Sequence, residues 1–210
     1  MHGMYSAVVM DMARKARQSQ NDNAFALFRG AFTTSLTADG QPMCGTHTTL
    51  SGATVINTHT GAGSALSSPS INTGIVDLAQ QLDQAGVIMG NFPSVILVPS
   101  VLRKKALELT DSALIADTAT NALNVYRSAY GFTVWTSPFL DAIAGGGTGS
   151  DTAWFMLSEN HSVTRLIRQG IVTDLRDWTA SNNRTYFFQA NFRETVYCKD
   201  YVGLVGFVGV

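Results

Sequence analysis

From Met4 to about Arg29 the sequence runs without a single proline or glycine, and apolar residues recur at Met4, Val8, Met12, Ala16, Ala24, Leu27 and Phe28. That spacing predicts one long amphipathic helix, with Gly30 standing where a helix stop is expected. At the α-helical rise it would run about 40 Å, longer than a small globular domain normally needs. Val8 falls within the apolar stripe, so Val8→Asp is expected to place a charge in a buried face.

After the helix, 32–70 is crowded with Thr, Ser, Gly and Asn and carries the turn signal Asp39-Gly40, which reads as an exposed loop or hairpin region. A second helix is signalled by Ile71, Ile75, Leu78, Ala79 and Leu82, with Ser68 or Ser70 as its cap and Gly86 beyond its end. Val95-Ile96-Leu97-Val98, bounded by Pro93 and Pro99, predicts a strand buried on both faces. Val101, Leu102, Leu107 and Leu109, interleaved with charged residues, predict a short third helix. Phe132 to Trp135 and Thr152 to Leu157 read as strands, separated by a flexible glycine-rich turn at Gly145-Gly146-Gly147-Thr148-Gly149. Ile171 to Trp178 and Thr185 to Lys199 form a hairpin pattern around Ser181-Asn182-Asn183. In the closing segment Gly203, Gly206 and Gly209 interleave with apolar residues, which implies that something packs closely against it.

Composition narrows the function. Forty-five per cent of 210 residues are hydrophobic, enough to bury a sizeable core. Fourteen Lys and Arg stand against 15 Asp and Glu, so there is no bulk positive field to hold phosphate backbones. Charged residues make up 14%, well under the roughly 25% of an ordinary soluble domain, while Ser and Thr number 39. A largely neutral surface suits a subunit covered by neighbours, because charges are depleted from interface cores. Arg outnumbers Lys by 10 to 4, which fits pairing by a planar fork. No run approaches the ~20 apolar residues needed to cross a bilayer, and the start lacks a basic segment followed by an apolar one, so a soluble chain is expected. Cys44 and Cys198 are the only cysteines and read as two buried, reduced thiols.

The motifs that could carry chemistry are incomplete. Gly61-Ala62-Gly63-Ser64 and Gly145 to Gly149 lack the lysine and spacing of a phosphate-cradling loop and read as turns. Cys44, His47 and His59 lack a fourth metal ligand, and nothing marks a third group to orient a Cys–His pair. Asp174 and Asp177, three apart in an extended segment, face opposite sides and cannot readily share a substrate. Neither a catalytic residue, a cofactor nor a metal site is expected.

The order of the pieces resembles the major capsid proteins of tailed bacteriophages, specifically the Hong Kong phage fold and its Mu-like major head subunits. The resemblance rests on five stretches: Asn23 to Phe32 with Thr37 to His47; Leu66-Ser67; Gly86 to Met89 through Pro93 to Pro99; Phe132 to Leu140 with Asp151 to Phe155; and Gly170 to Trp178 with Tyr186 to Asp200. It implies an α+β fold. A peripheral domain, 1–70 with 160–199, would hold a long spine helix and a long β-hairpin, and an axial domain, 71–159 with 200–210, a mixed sheet and helices.

The function implied is a head protein that self-assembles, as hexamers and pentamers, into an icosahedral shell around a phage double-stranded DNA genome. Weak contacts with the DNA, portal, scaffold or decoration partners, no membrane, and location in the virion after assembly in the bacterial host cytoplasm go with it. Exposed polar turns are the candidate assembly contacts: Gly145, Gly146, Gly147, Thr148, Gly149 and Ser150, with Asp39 and Gly40. Subunits of this kind carry an arm and an extended loop before the spine helix. This sequence begins almost at that helix, so these 210 residues alone are expected to assemble poorly. An encapsulin-like compartment subunit and an enzyme with an unrecognised site are the rival readings, the second disfavoured by the lack of a clustered acid, base or nucleophile.

Overall fold

A computed structural model describes residues 2–114, 123–178 and 185–210. In chain order it holds α1 (His2–Arg29), β1 (Thr46–Thr48), β2 (Thr54–Ile56), β3 (Thr58–His59), α2 (Ser68–Gln80), β4 (Pro93–Val98), α3 (Arg103–Thr110), β5 (Thr133–Thr136), β6 (Trp154–Ser158), β7 (Val163–Trp178), β8 (Thr185–Cys198) and β9 (Leu204–Phe207). The fold is mixed α+β. The chain divides into two compact units, Met1–Phe25 with Arg165–Val196, and Ala26–Thr164 with Tyr197–Val210.

The smaller unit contains most of α1 and the paired strands β7 and β8. As expected, α1 is one continuous helix. Its buried positions differ from the expected stripe: Ala16 is buried, whereas Val8 is 51% exposed. Successive residues turn 100°, so a line drawn through every fourth residue winds 40° per step and leaves the contact face. The structure therefore corrects the placement of Val8 in a buried face. Around Glu194, whose side chain is only 1% exposed, Arg165 donates from Nε at 3.1 Å and from a terminal nitrogen at 2.5 Å, and Gln20 Nε2 donates at 3.1 Å. All three donors share Oε2, which ties α1 to both strands through charge-assisted hydrogen bonds, the stronger kind, while Oε1 is buried with no partner among the described residues. The first strand begins at Val163, eight residues before the predicted Ile171, and the predicted turn Ser181-Asn182-Asn183 lies outside the described residues.

The larger unit is built on a five-stranded sheet in the order β3-β9-β6-β4-β5. β4 runs antiparallel to β6 and parallel to β5, so the proline-bounded apolar run lies inside the sheet, as its composition predicts. Register places Val134, Ile96, Met156 and Val205 in one row and Trp135, Leu97, Phe155 and Gly206 in the next. The first row belongs to a core with Ile71, Ile75 and Leu78 of α2, in which Trp154 stacks on Phe207 at 4.0 Å. The second row is covered by Phe28 and Phe32, whose rings lie 5.2 and 5.5 Å from that of Phe155. Here Gly206 is required by space: a Cβ would stand 2.5 Å from Cys44 Sγ and 2.9 Å from Phe32. The close approach expected of the closing segment is thus made by Phe32 and Cys44.

Two further expectations are corrected. The cap of α2 is Ser67 rather than Ser68 or Ser70: Ser67 Oγ accepts from Ser70 N, and Ser70 Oγ accepts from Ser67 N at 2.9 Å, a reciprocal capping box. The Thr/Ser-rich stretch 32–70 contains the hairpin pairing expected as the alternative to a loop, β1 antiparallel to β2 and Leu36 bridged to Pro42 around Asp39-Gly40, but it is not exposed throughout, because Met43, Cys44, His47, Val55, Asn57 and Leu66 within it are buried. A polar segment can be buried when its backbone groups find partners. Asn57 provides them: Oδ1 accepts from Gly45 N at 2.8 Å, and Nδ2 donates to Met43 O at 2.9 Å and Leu204 O at 3.2 Å.

Candidate assembly surface

The residues that sequence reasoning weighed for chemistry have separate tasks. His47, fully buried and stacked on Tyr201 at 4.6 Å, places Nδ1 2.7 Å from Asp39 Oδ2. His59, stacked on Phe207 at 4.7 Å, places Nε2 2.5 Å from Asp77 Oδ2. Cys44 packs instead against Gly206. Burial raises both thiols, Cys44 well above its ordinary range and Cys198 to about 11, which keeps them protonated and poorly nucleophilic at neutral pH. Among the described residues, no three His, Cys, Asp or Glu groups are placed to hold a metal ion. Asp174 lies in β7 and is exposed, and Asp177 occupies the same strand.

The two polar turns expected to carry contacts are both ordered by the chain itself. Asp39 Oδ1 accepts from Thr37 Oγ1 at 2.5 Å and from Gln41 N at 3.1 Å. Burial alone would push the Asp39 carboxyl up; hydrogen bonds from Thr37, His47 and Gln41, with the His47 charge, outweigh it and hold the carboxyl below its ordinary value. Gly40 closes this turn at φ 77°. At the second turn Gly145, Gly146 and Gly147 adopt φ of 57°, 74° and 92°, a left-handed run that favours glycine. Thr148 Oγ1 donates to Gly145 O at 3.1 Å, and Ser150 N to Leu140 O at 2.8 Å. Gly149 has no room for a side chain, because a Cβ there would collide with the Asp141 carbonyl. The expected flexible turn is a hydrogen-bonded one, with its glycines at the surface.

Sequence reasoning missed the exposed apolar side chains. On the larger unit Leu50 and Ile143 are 90% and 88% exposed, and Val87, Ile88, Phe92 and Trp135 are each more than half exposed. In the sequence these look like ordinary core residues; the only signal was the low charge of the chain as a whole. Large exposed apolar side chains on a charge-poor surface are compatible with a subunit covered by others. The comparison with known families agrees: residues 2–205 match the model of the phage capsid protein family, and the chain belongs to that family. It is a structural protein of the bacteriophage virion, whose family role is to assemble with copies of itself into the shell. No curated protein matches it. Among the described residues, no helix is long and apolar enough to cross a membrane.

Proposed function

We propose that this phage capsid protein is the major head subunit, of the Hong Kong phage fold and similar to Mu-like head proteins, and that it closes into an icosahedral shell of hexamers and pentamers around double-stranded DNA. The observation that carries the reading is that one compact unit holds most of a 28-residue helix with two long paired strands and the other holds a five-stranded sheet. On this reading the helix and hairpin form the peripheral domain and the sheet the axial domain. Catalysis plays no part, and no cofactor is needed. The formal net charge of −1 suits an inner wall that holds DNA without gripping it. Assembly takes place in the host cytoplasm, with portal, scaffold or decoration proteins as further partners.

The turns at Gly145 to Ser150 and at Asp39-Gly40 are proposed as contacts between subunits. Closed shells repeat a few contacts by symmetry, and ordered surface turns present the same backbone in every copy. The test is a subunit-resolution electron cryomicroscopy reconstruction of particles made from the full-length gene. Five- and six-fold clusters with these turns against neighbouring chains are expected; particles without such clusters would overturn the reading.

A further inference from the structure

The formal net charge of −1 is unevenly divided. The unit made of Met1–Phe25 and Arg165–Val196 carries eight Lys and Arg against five Asp and Glu, a formal +3, whereas the other unit carries six against ten, a formal −4. Within the basic unit Arg14 and Lys15 lie 4.0 and 3.0 Å from Asp11, and Arg165 is held by Glu194. Arg17, Arg168 and Arg193 are exposed and make no ion pair with a described residue.

Two of these share a face. The bonds among Gln20, Arg165 and Glu194 turn Arg165 and Glu194 toward α1, and side chains alternate along a strand, so Arg168 of β7 and Arg193 of β8 project from the opposite face. Exposure follows the alternation: Gln189, Asn191 and Arg193 are exposed between half-buried neighbours, as are Arg168 and Gly170 on either side of Gln169. Six residues join β7 to β8, too few for a parallel crossover, so the strands run antiparallel. Both arginines, each within three residues of the Arg165–Glu194 bond, therefore occupy one stretch of the face. Asp174, a carboxylate on the same face of β7, stands six residues from Arg168, about 20 Å along the strand. Gly170 lies within the stretch without a left-handed backbone, and a Cβ there would meet nothing within 4 Å. Neither fold nor packing requires glycine at this position, although glycine weakens a strand; such a glycine marks a place where another group approaches closely.

We propose that the face of β7 and β8 turned away from α1, centred on Arg168, Gly170, Asn191 and Arg193, binds the phosphate backbone of nucleic acid. Arginine with asparagine, glutamine and threonine is the side-chain set that contacts phosphates, and Gln189 and Thr195 complete it on this face. Between Leu166 and Val172 the described face holds no apolar side chain, which suits phosphate contact and not the charge-depleted core of a protein interface. Two unpaired arginines per copy give a weak contact that is multiplied over many copies, while the acidic unit repels the same polyanion. The inference rests on the reading of the chain as the shell around a DNA genome and adds where that DNA is touched.

The test is fluorescence anisotropy of a short random-sequence DNA duplex titrated with dissociated subunits of the full-length gene product, from low to physiological salt. Each phosphate neutralised contributes about 0.9 to the steepness of log affinity against log salt, so Arg168→Ala with Arg193→Ala should flatten the slope by about 2 at an unchanged melting temperature. Arg17→Ala, which removes an unpaired cation outside this face, should leave the slope as it is. Gly170→Leu should keep at least the wild-type melting temperature and weaken duplex binding by at least about threefold. A wild-type slope in the double variant, an equal flattening by Arg17→Ala, or no duplex binding by a protein that still forms particles overturns this proposal alone. So does a double variant that binds the duplex normally but no longer assembles, which would assign the face to carboxylates of another copy. Wild-type protein that forms no particles overturns the shell reading and, with it, the role of this face in holding a genome.

Discussion

Asn57 is the residue on which burial of the polar segment depends, and Asn57→Ala measures that dependence. The side chain is 1% exposed and makes hydrogen bonds to Gly45 N, Met43 O and Leu204 O at 2.8, 2.9 and 3.2 Å, with Tyr201 O at 3.5 Å. Tyr201 O and Leu204 O keep Gln81 Nε2 at 3.1 and 3.5 Å after truncation, so the main loss falls on Gly45 N–H and the Met43 carbonyl, with a weaker loss at Leu204 O. Each buried group left unpaired costs roughly 1 to 3 kcal/mol, and partial relaxation brings the sum to about 3 to 5 kcal/mol. With a urea m-value of roughly 2 to 3 kcal/mol/M, the unfolding midpoint of the dissociated subunit should fall by about 1 to 2 M at unchanged m. Asn57→Asp sharpens the test, because its Oδ1 still accepts from Gly45 while the carboxylate faces carbonyls. Burial raises such a carboxyl above its unfolded value, so the variant loses stability as pH rises from about 4 and is least damaged in acid. A midpoint shift below about 0.3 M for Asn57→Ala, read by tryptophan fluorescence, would refute the reasoning.

Ala16→Asp should destabilise by about 2 to 4 kcal/mol, whereas Val8→Asp, on an exposed position, should change stability by less than about 0.5 kcal/mol; paired thermal melts check the contrast. Cys44 and Cys198 should resist a thiol reagent at pH 8 in the native protein and react fully in denaturant, because both are buried and their pKa values are raised. Asp39 has a depressed carboxyl pKa, so its stabilising contribution is present above the unfolded value near 3.8 and lost as pH falls through the lower folded value. Asp39→Ala should therefore lower the melting temperature at pH 7 and flatten the acid limb of the stability profile, measured by calorimetry from pH 2 to 7.

The elements that could be read from the sequence are those whose signals are local. α1 is marked by 26 residues without a breaker, and β4 by an apolar run between Pro93 and Pro99. Burial of 32–70 is set by long-range partners: Asn57 reaches Leu204 across 147 positions, and no property of a Thr-rich segment announces such a hydrogen bond. The early part of β7 was missed because Arg165 and Arg168 interrupt its apolar residues; Glu194, 29 positions away, is what holds Arg165 in place. The phase of the α1 contact face was misread because i, i+4 spacing alone does not say which side meets the strands. The candidate surface was the least legible part. Phe92 and Trp135 have the chemistry of core residues, and their exposure follows from where the sheet ends.

The most direct test of the shell account is the mass of the full-length gene product in solution, measured by mass photometry and sedimentation at increasing concentration. The account predicts closed particles with masses on the order of megadaltons that accumulate above a threshold concentration, as repeated symmetric contacts require. A protein that stays a single subunit, near the 22.5 kDa of this chain or the mass of its full-length product, at every concentration up to its solubility limit would contradict it.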